Sequence, residues 1–262
     1  MRLAAAALLL QSVSAPAAGP RVGRLELRAG LDSLYGGDFA GAARYFADLS
    51  ARDSADPAPV IFQAGAYIWW AAAKDSDAFA AGRIDSLLDT AIAMAKAAPP
   101  GPDREFWLAT ALGYRARERE LHGHAWGAAK DAKAMRDAYR RVLAADSSCT
   151  DCFLGLGLYS YGLARASTLA RLVARIIGLG GGNAEEGLSM MRRVAFGGDL
   201  ARVEGTWVLA AALVREAERS PEHRDALLRE ATAQVSWLRE KYPDNPVFRH
   251  FLERTPSGEP ER

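Results

Sequence analysis

Apolar patterns of helical period, cut by short breakers at a spacing of roughly 34–45 residues, are what most limit the folds open to this chain. A pair of helices cannot bury its apolar faces alone, so units repeating at this length have to stack on one another. In the first unit Gly30 marks a close helix approach and Gly37-Asp38-Phe39 a turn, and Ala42, Phe46 and Leu49 form an inward stripe at i, i+4 and i+7. Pro57 and Pro59 divide that unit from the second, whose first helix reads PVIFQAGAYIWWAAAK with Gly65 at a small position. Its second helix carries Leu87, Leu88, Ala91, Ile92 and Ala95 before Pro99-Pro100-Gly101-Pro102 breaks it. A third unit places Trp107, Ala111 and Tyr114 on one helix and Met135, Tyr139 and Val142 on the next.

The fourth unit opens with Phe153, Leu156, Gly157 and Tyr161 and closes with Gly187, Met191 and Val194. Between them lies a basic, apolar insert over residues 163–179. The fifth runs through TWVLAAALVREAE and then Leu227, Leu228, Ala231, Val235 and Leu238, stopping at Tyr242-Pro243-Asp244-Asn245-Pro246. Residues 247–252 fit a short helix capping the last open face, and 254–262, rich in Pro, Gly and charge, a disordered tail. The expected fold is all-α.

Charge gives little direction. The 33 basic and 32 acidic residues leave a formal net charge of +1, so there is no global attraction to nucleic acid and none is expected as a partner. At the N-terminus Arg2, an apolar run over residues 3–10 and Ala15-Pro16-Ala17 have the form of a cleavable secretory signal over residues 1–17. The run is too short to span a bilayer. The mature protein is therefore expected to be periplasmic or secreted, with a helical repeat domain over residues 22–253.

The Gly37-Asp38-Phe39 turn followed by Ala42 and Phe46, and the spacing of Phe153, Leu156, Gly157 and Tyr161, resemble the tetratricopeptide repeat (TPR) superfamily. Unit four also resembles an exported bacterial branch of it. The resemblance covers nearly all of the mature chain, closely in units one and four and loosely in two and three. It implies an α-solenoid of about five antiparallel helix pairs wound as a right-handed superhelix, with an extra helix in unit four. It also implies a concave face lined by the first helix of each pair, carrying Phe62, Trp69, Trp70, Leu108, Arg115, Leu154, Tyr161, Trp207 and Arg215. Such a face suits a protein or peptide partner, and aromatics and Arg are the residue types that carry interface energy. Set against this, a Trp or Tyr at helical spacing is often packed between repeats. A rival reading has Trp69, Trp70, Tyr161 and Trp207 enclosing an apolar small molecule or lipid.

In the insert, Leu169, Leu172, Val173, Ile176 and Ile177 oppose Arg165, Arg171 and Arg175, an amphipathic pattern. It fits either a helix lying on an anionic membrane or in a partner groove, or an extra helix tucked onto the solenoid. The lack of Trp, Phe and Lys favours the tucked helix. Cys149 and Cys152 can close a disulfide in an exported protein. Phe153 stands where a haem site needs His, and no second Cys pair completes a zinc site. His122-Gly123-His124 could offer two imidazoles to a metal, but with no Cys nearby and no clear carboxylate partner it reads as a solvent-exposed turn. The glycines at 178 and 180–182 lack the Gly-Lys-Ser/Thr ending of a phosphate loop and read as a flexible turn into a helix capped by Asn183. No metal or cofactor is expected. With no GxSxG, HExxH or ordered carboxylate pair, the chain reads as non-enzymatic.

Overall fold

The computed structural model describes residues 24–167, 174 and 178–255, which are helical with no strand among them. Among the described residues eleven α-helices follow one another: α1 (Arg24–Tyr35), α2 (Phe39–Arg52), α3 (Pro57–Ala73), α4 (Ala81–Ala97), α5 (Pro102–Leu121), α6 (Ala125–Ala145), α7 (Cys152–Arg165), α8 (Ala184–Gly197), α9 (Arg202–Ala217), α10 (Arg224–Lys241) and α11 (Pro246–Arg254). The proposed leader at 1–17 lies outside the described residues, as do nine of the insert, at 168–173 and 175–177, and the tail from 256 onward.

Local chemistry sets the helix starts. The side chains of Asp38, Asp56, Asn183 and Asn245 accept hydrogen bonds from the first-turn backbone N–H groups of α2, α3, α8 and α11. Each satisfies a donor that the helix leaves unpaired. Pro57, Pro102 and Pro246 begin α3, α5 and α11, where a missing N–H costs nothing. Pro57 therefore opens the second unit and does not close the first. Pro59 is accommodated in the same first turn.

Each helix packs on the next, and the odd-numbered helices from α1 to α7 also touch in succession. The inward stripes are buried as their spacing indicates: Ala42, Phe46 and Leu49 in α2, Leu88, Ala91 and Ala95 in α4, Met191 and Val194 in α8. Where α7 crosses α8 the backbones meet. A Cβ on Gly187 would stand 2.8 Å from the Gly157 carbonyl oxygen and 2.8 Å from the Tyr161 backbone nitrogen, so only glycine fits this crossing.

Helix α3 is apolar on every side, with 13 of its 17 residues buried, as expected of a helix enclosed by others. It packs against α1, α2, α4, α5 and α11. The short C-terminal helix thus does more than cover an end. It folds back so that Phe248, fully buried, meets Trp69 of α3.

Polar contacts join α1 to the turn between α10 and α11. Asn245 donates from its side chain to the Tyr35 carbonyl at 2.9 Å, and the Tyr242 hydroxyl donates to Asp32 at 2.8 Å. At the α8–α9 junction Asp199 pairs with Arg24 and Arg28 of α1. The backbone N–H groups of Asp199 and Leu200 in turn donate to buried Asp151, at 2.7 and 2.9 Å. Asp151 lies inside the Cys149–Cys152 disulfide, whose short loop fixes the turn before α7.

Candidate interaction surfaces

The inner aromatic row is packed against itself. Trp69, 5 % exposed, meets Tyr35 edge-on at 5.4 Å between ring centres and also touches Trp207 at 5.7 Å and Phe248 at 5.6 Å. Phe62 lies between Phe46 and Trp107, at 5.6 and 5.9 Å. These spacings are those of offset and edge-to-face pairs in a core. Of the nine residues expected on a concave face, Phe62, Trp69, Leu108 and Tyr161 are buried. Trp70, Leu154 and Trp207 are partly buried against the same core.

Two polar members of the set, Tyr161 and Arg115, are held in place as well. The Tyr161 hydroxyl donates to the Glu216 carboxylate at 2.9 Å, and burial together with that carboxylate pushes its pKa up to about 12. Burial works against the charge on Glu216, yet hydrogen bonds from Arg165 and Tyr161 outweigh it and hold the carboxyl below its usual range. Arg115 grips Asp131 with two nitrogens at 2.8 Å and reaches Asp89 at 2.6 Å. Arg215 is exposed. Trp70 stacks over Tyr67 and touches Phe79, with the Lys74 ammonium 5.8 Å from its ring. The structure brings Trp69 and Trp207 together, but as packing partners.

Two residues that sequence spacing does not connect meet beside this row. Tyr114 of α5 donates its hydroxyl hydrogen bond to Glu204 of α9, 90 positions away. Desolvation raises the Glu204 pKa, and the Tyr114 bond and the Arg117 charge only partly offset it. Burial, reinforced by Glu204, drives the Tyr114 pKa well above its ordinary value.

Unused apolar surface lies elsewhere. A groove of about 410 Å³ opens between α8, α9 and α10, with Ala195, Leu209 and Ala233 among its apolar lining residues and Trp237 beside them. Phe196 stands at this groove 86 % exposed. Its position follows from the α8 pattern: Met191, Val194 and Ala195 turn inward, which leaves Phe196 off the stripe. Across the groove Arg192 clasps Glu230 with two nitrogens, at 2.6 and 2.8 Å. The Arg202 guanidinium lies 4.8 Å from the Trp237 ring centre and the Lys241 ammonium 5.9 Å from it. The one clue in the sequence was a large aromatic two residues past an inward Val, just before the Gly197-Gly198 break.

A second recess, of about 290 Å³, lies where the ends of the insert meet α8, lined by 163–165 and 180–184. Here buried Leu179 is anchored through its carbonyl, which accepts from Tyr159 at 2.5 Å and Arg136 at 2.8 Å. Among the described residues no group of three or more His, Cys, Asp or Glu is placed to hold a metal ion, and no helix is long and apolar enough to cross a membrane. No family model, no curated protein and no solved structure matches the chain.

Proposed function

We propose that this chain is an exported, non-enzymatic scaffold that holds a segment of another protein. In this reading its helices stack as a TPR-like right-handed solenoid of about five pairs. The successive helix pairing and the Gly/aromatic spacing of units one and four support that architecture. Export rests on Arg2, the apolar run at 3–10 and the small residues before Ala18.

The observation that carries the binding role is Phe196. Elsewhere the large apolar side chains of α7 to α10 mostly serve the core, whereas this one stands 86 % exposed beside an apolar groove. Exposed aromatics at a groove supply the anchors of protein interfaces. The concave face inferred from the resemblance is a weaker place for a partner, because Phe62, Trp69 and Tyr161 are already buried against neighbours. The same packing takes the space that a carried lipid or small apolar molecule would need.

A photo-crosslinking side chain placed at position 196 in the producing cells tests the role. A discrete adduct is expected at 196 and none with the same group at Trp126, which is 56 % exposed on α6. Equal labelling at both positions, or none at 196, would contradict it.

A further inference from the structure

Resting on the scaffold reading, we propose that the α8–α10 groove takes an apolar side chain from a partner segment that bears carboxylates beside it. The apolar part follows from the lining. Buried Leu209 and Ala195 form its floor, and Ala233, Phe196 and the partly exposed Trp237 supply the accessible apolar surface. A space of about 410 Å³ suits one or two side chains of a peptide. Phe196 at the edge can close over the inserted group, which removes its own exposed surface from water at the same time.

The acidic part follows from charge complementarity. Of the charged groups around the groove, Glu230 is taken up by its two bonds to Arg192. Of the lining residues Arg202 remains, and Lys241, outside the lining, approaches the same Trp237 ring. Both lie against the Trp237 ring, and among the described residues neither has a carboxylate partner. Arg202 Nε donates to the Ala195 carbonyl at 3.3 Å, which holds the guanidinium beside the indole while the residue stays exposed. A guanidinium held this way is a preformed fork for a carboxylate, with less rotamer entropy left to lose on binding. A basic segment would meet these two cations with repulsion. A membrane surface fits less well, because the cations are folded onto the groove wall and the apolar space is recessed between helices.

Two labelled peptides with blocked ends test this by fluorescence anisotropy on the full chain. One has a Leu/Phe core flanked by Asp and Glu, and its twin carries Lys at the flanking positions. Saturable binding of the acidic peptide is expected, weakened about tenfold or more by Phe196→Ala and by Arg202→Glu, with no binding of the twin. Phe196→Ala removes only exposed surface, so an unchanged melting temperature separates lost binding from lost folding.

Equal binding of the twins, or no effect of Phe196→Ala, overturns the proposal. So does binding to phosphatidylglycerol vesicles that Phe196→Ala abolishes while neither peptide binds, which would assign the groove to a membrane. A dimer in sedimentation that Phe196→Ala splits would assign it to a second copy. An adduct at position 196 with both peptides silent would reject the acidic partner and leave the scaffold standing. Silence in both experiments would reject both.

Discussion

Glu204 shows what the fold does to a single charge. Its carboxyl is desolvated and accepts a hydrogen bond from Tyr114, and its folded pKa lies above the ordinary 4.5. A carboxyl whose pKa rises on folding holds its proton more tightly in the native state. Between 4.5 and the raised value the native state therefore binds more protons than the unfolded chain, and stability falls as pH rises through that window. Glu204→Gln keeps an acceptor for Tyr114 and removes the charge. Its stability relative to the wild type, read from urea midpoints, is expected to grow as pH is raised from below 4.5 toward neutrality. A difference that stays flat or shrinks would contradict the desolvated carboxyl. The Tyr114–Glu204 pair was not legible in the sequence, since nothing local ties two positions 90 residues apart. Asp151 was hidden for the same reason, because its importance comes from two backbone N–H groups supplied by residues 199 and 200.

At the scale of elements the sequence was far more informative, because helix starts, breaks and apolar stripes are set by neighbours within a turn or two. Asp38, Asn183 and the 99–102 proline-glycine run each fall at a helix boundary of the structure. The spacing that singled out Gly157 and Gly187 as the small positions of α7 and α8 finds its reason in their crossing, where each glycine lies against the other's carbonyl. Gly187→Ala would push a methyl group into backbone atoms that have no rotamer by which to yield. A loss of about 3 kcal/mol is expected in denaturant unfolding, at the upper end for overpacking. A loss no larger than that of Gly197→Ala, whose Cβ would meet nothing within 4 Å, would mean that the crossing is looser than described. Helix α11 was legible as a helix but not in its full role. Its aromatics at 248 and 251 identify an apolar face without saying that the face is spent on Trp69 and Trp207.

Over the whole molecule the consequence is a change in where recognition is expected. Stacked helix pairs alone suggest an open trough. Here the first and last units meet through Asn245 and Tyr242, the Asp199 ion pairs tie α1 to the α8–α9 junction, and α11 lies against α3, so the inner aromatics become core. That closure depends on contacts up to 210 residues apart, which no periodicity encodes. Hydroxyl-radical footprinting read residue by residue tests it most directly, in the free protein and with the acidic peptide bound. Phe196 is expected to react fast in the free protein and to be shielded by the peptide, while Trp69, Phe248 and Tyr161 stay inert in both states. Ready oxidation of Trp69 and Phe248 in the free protein, with shielding there and none at Phe196 on binding, would show that the trough is open and that partners are held inside it.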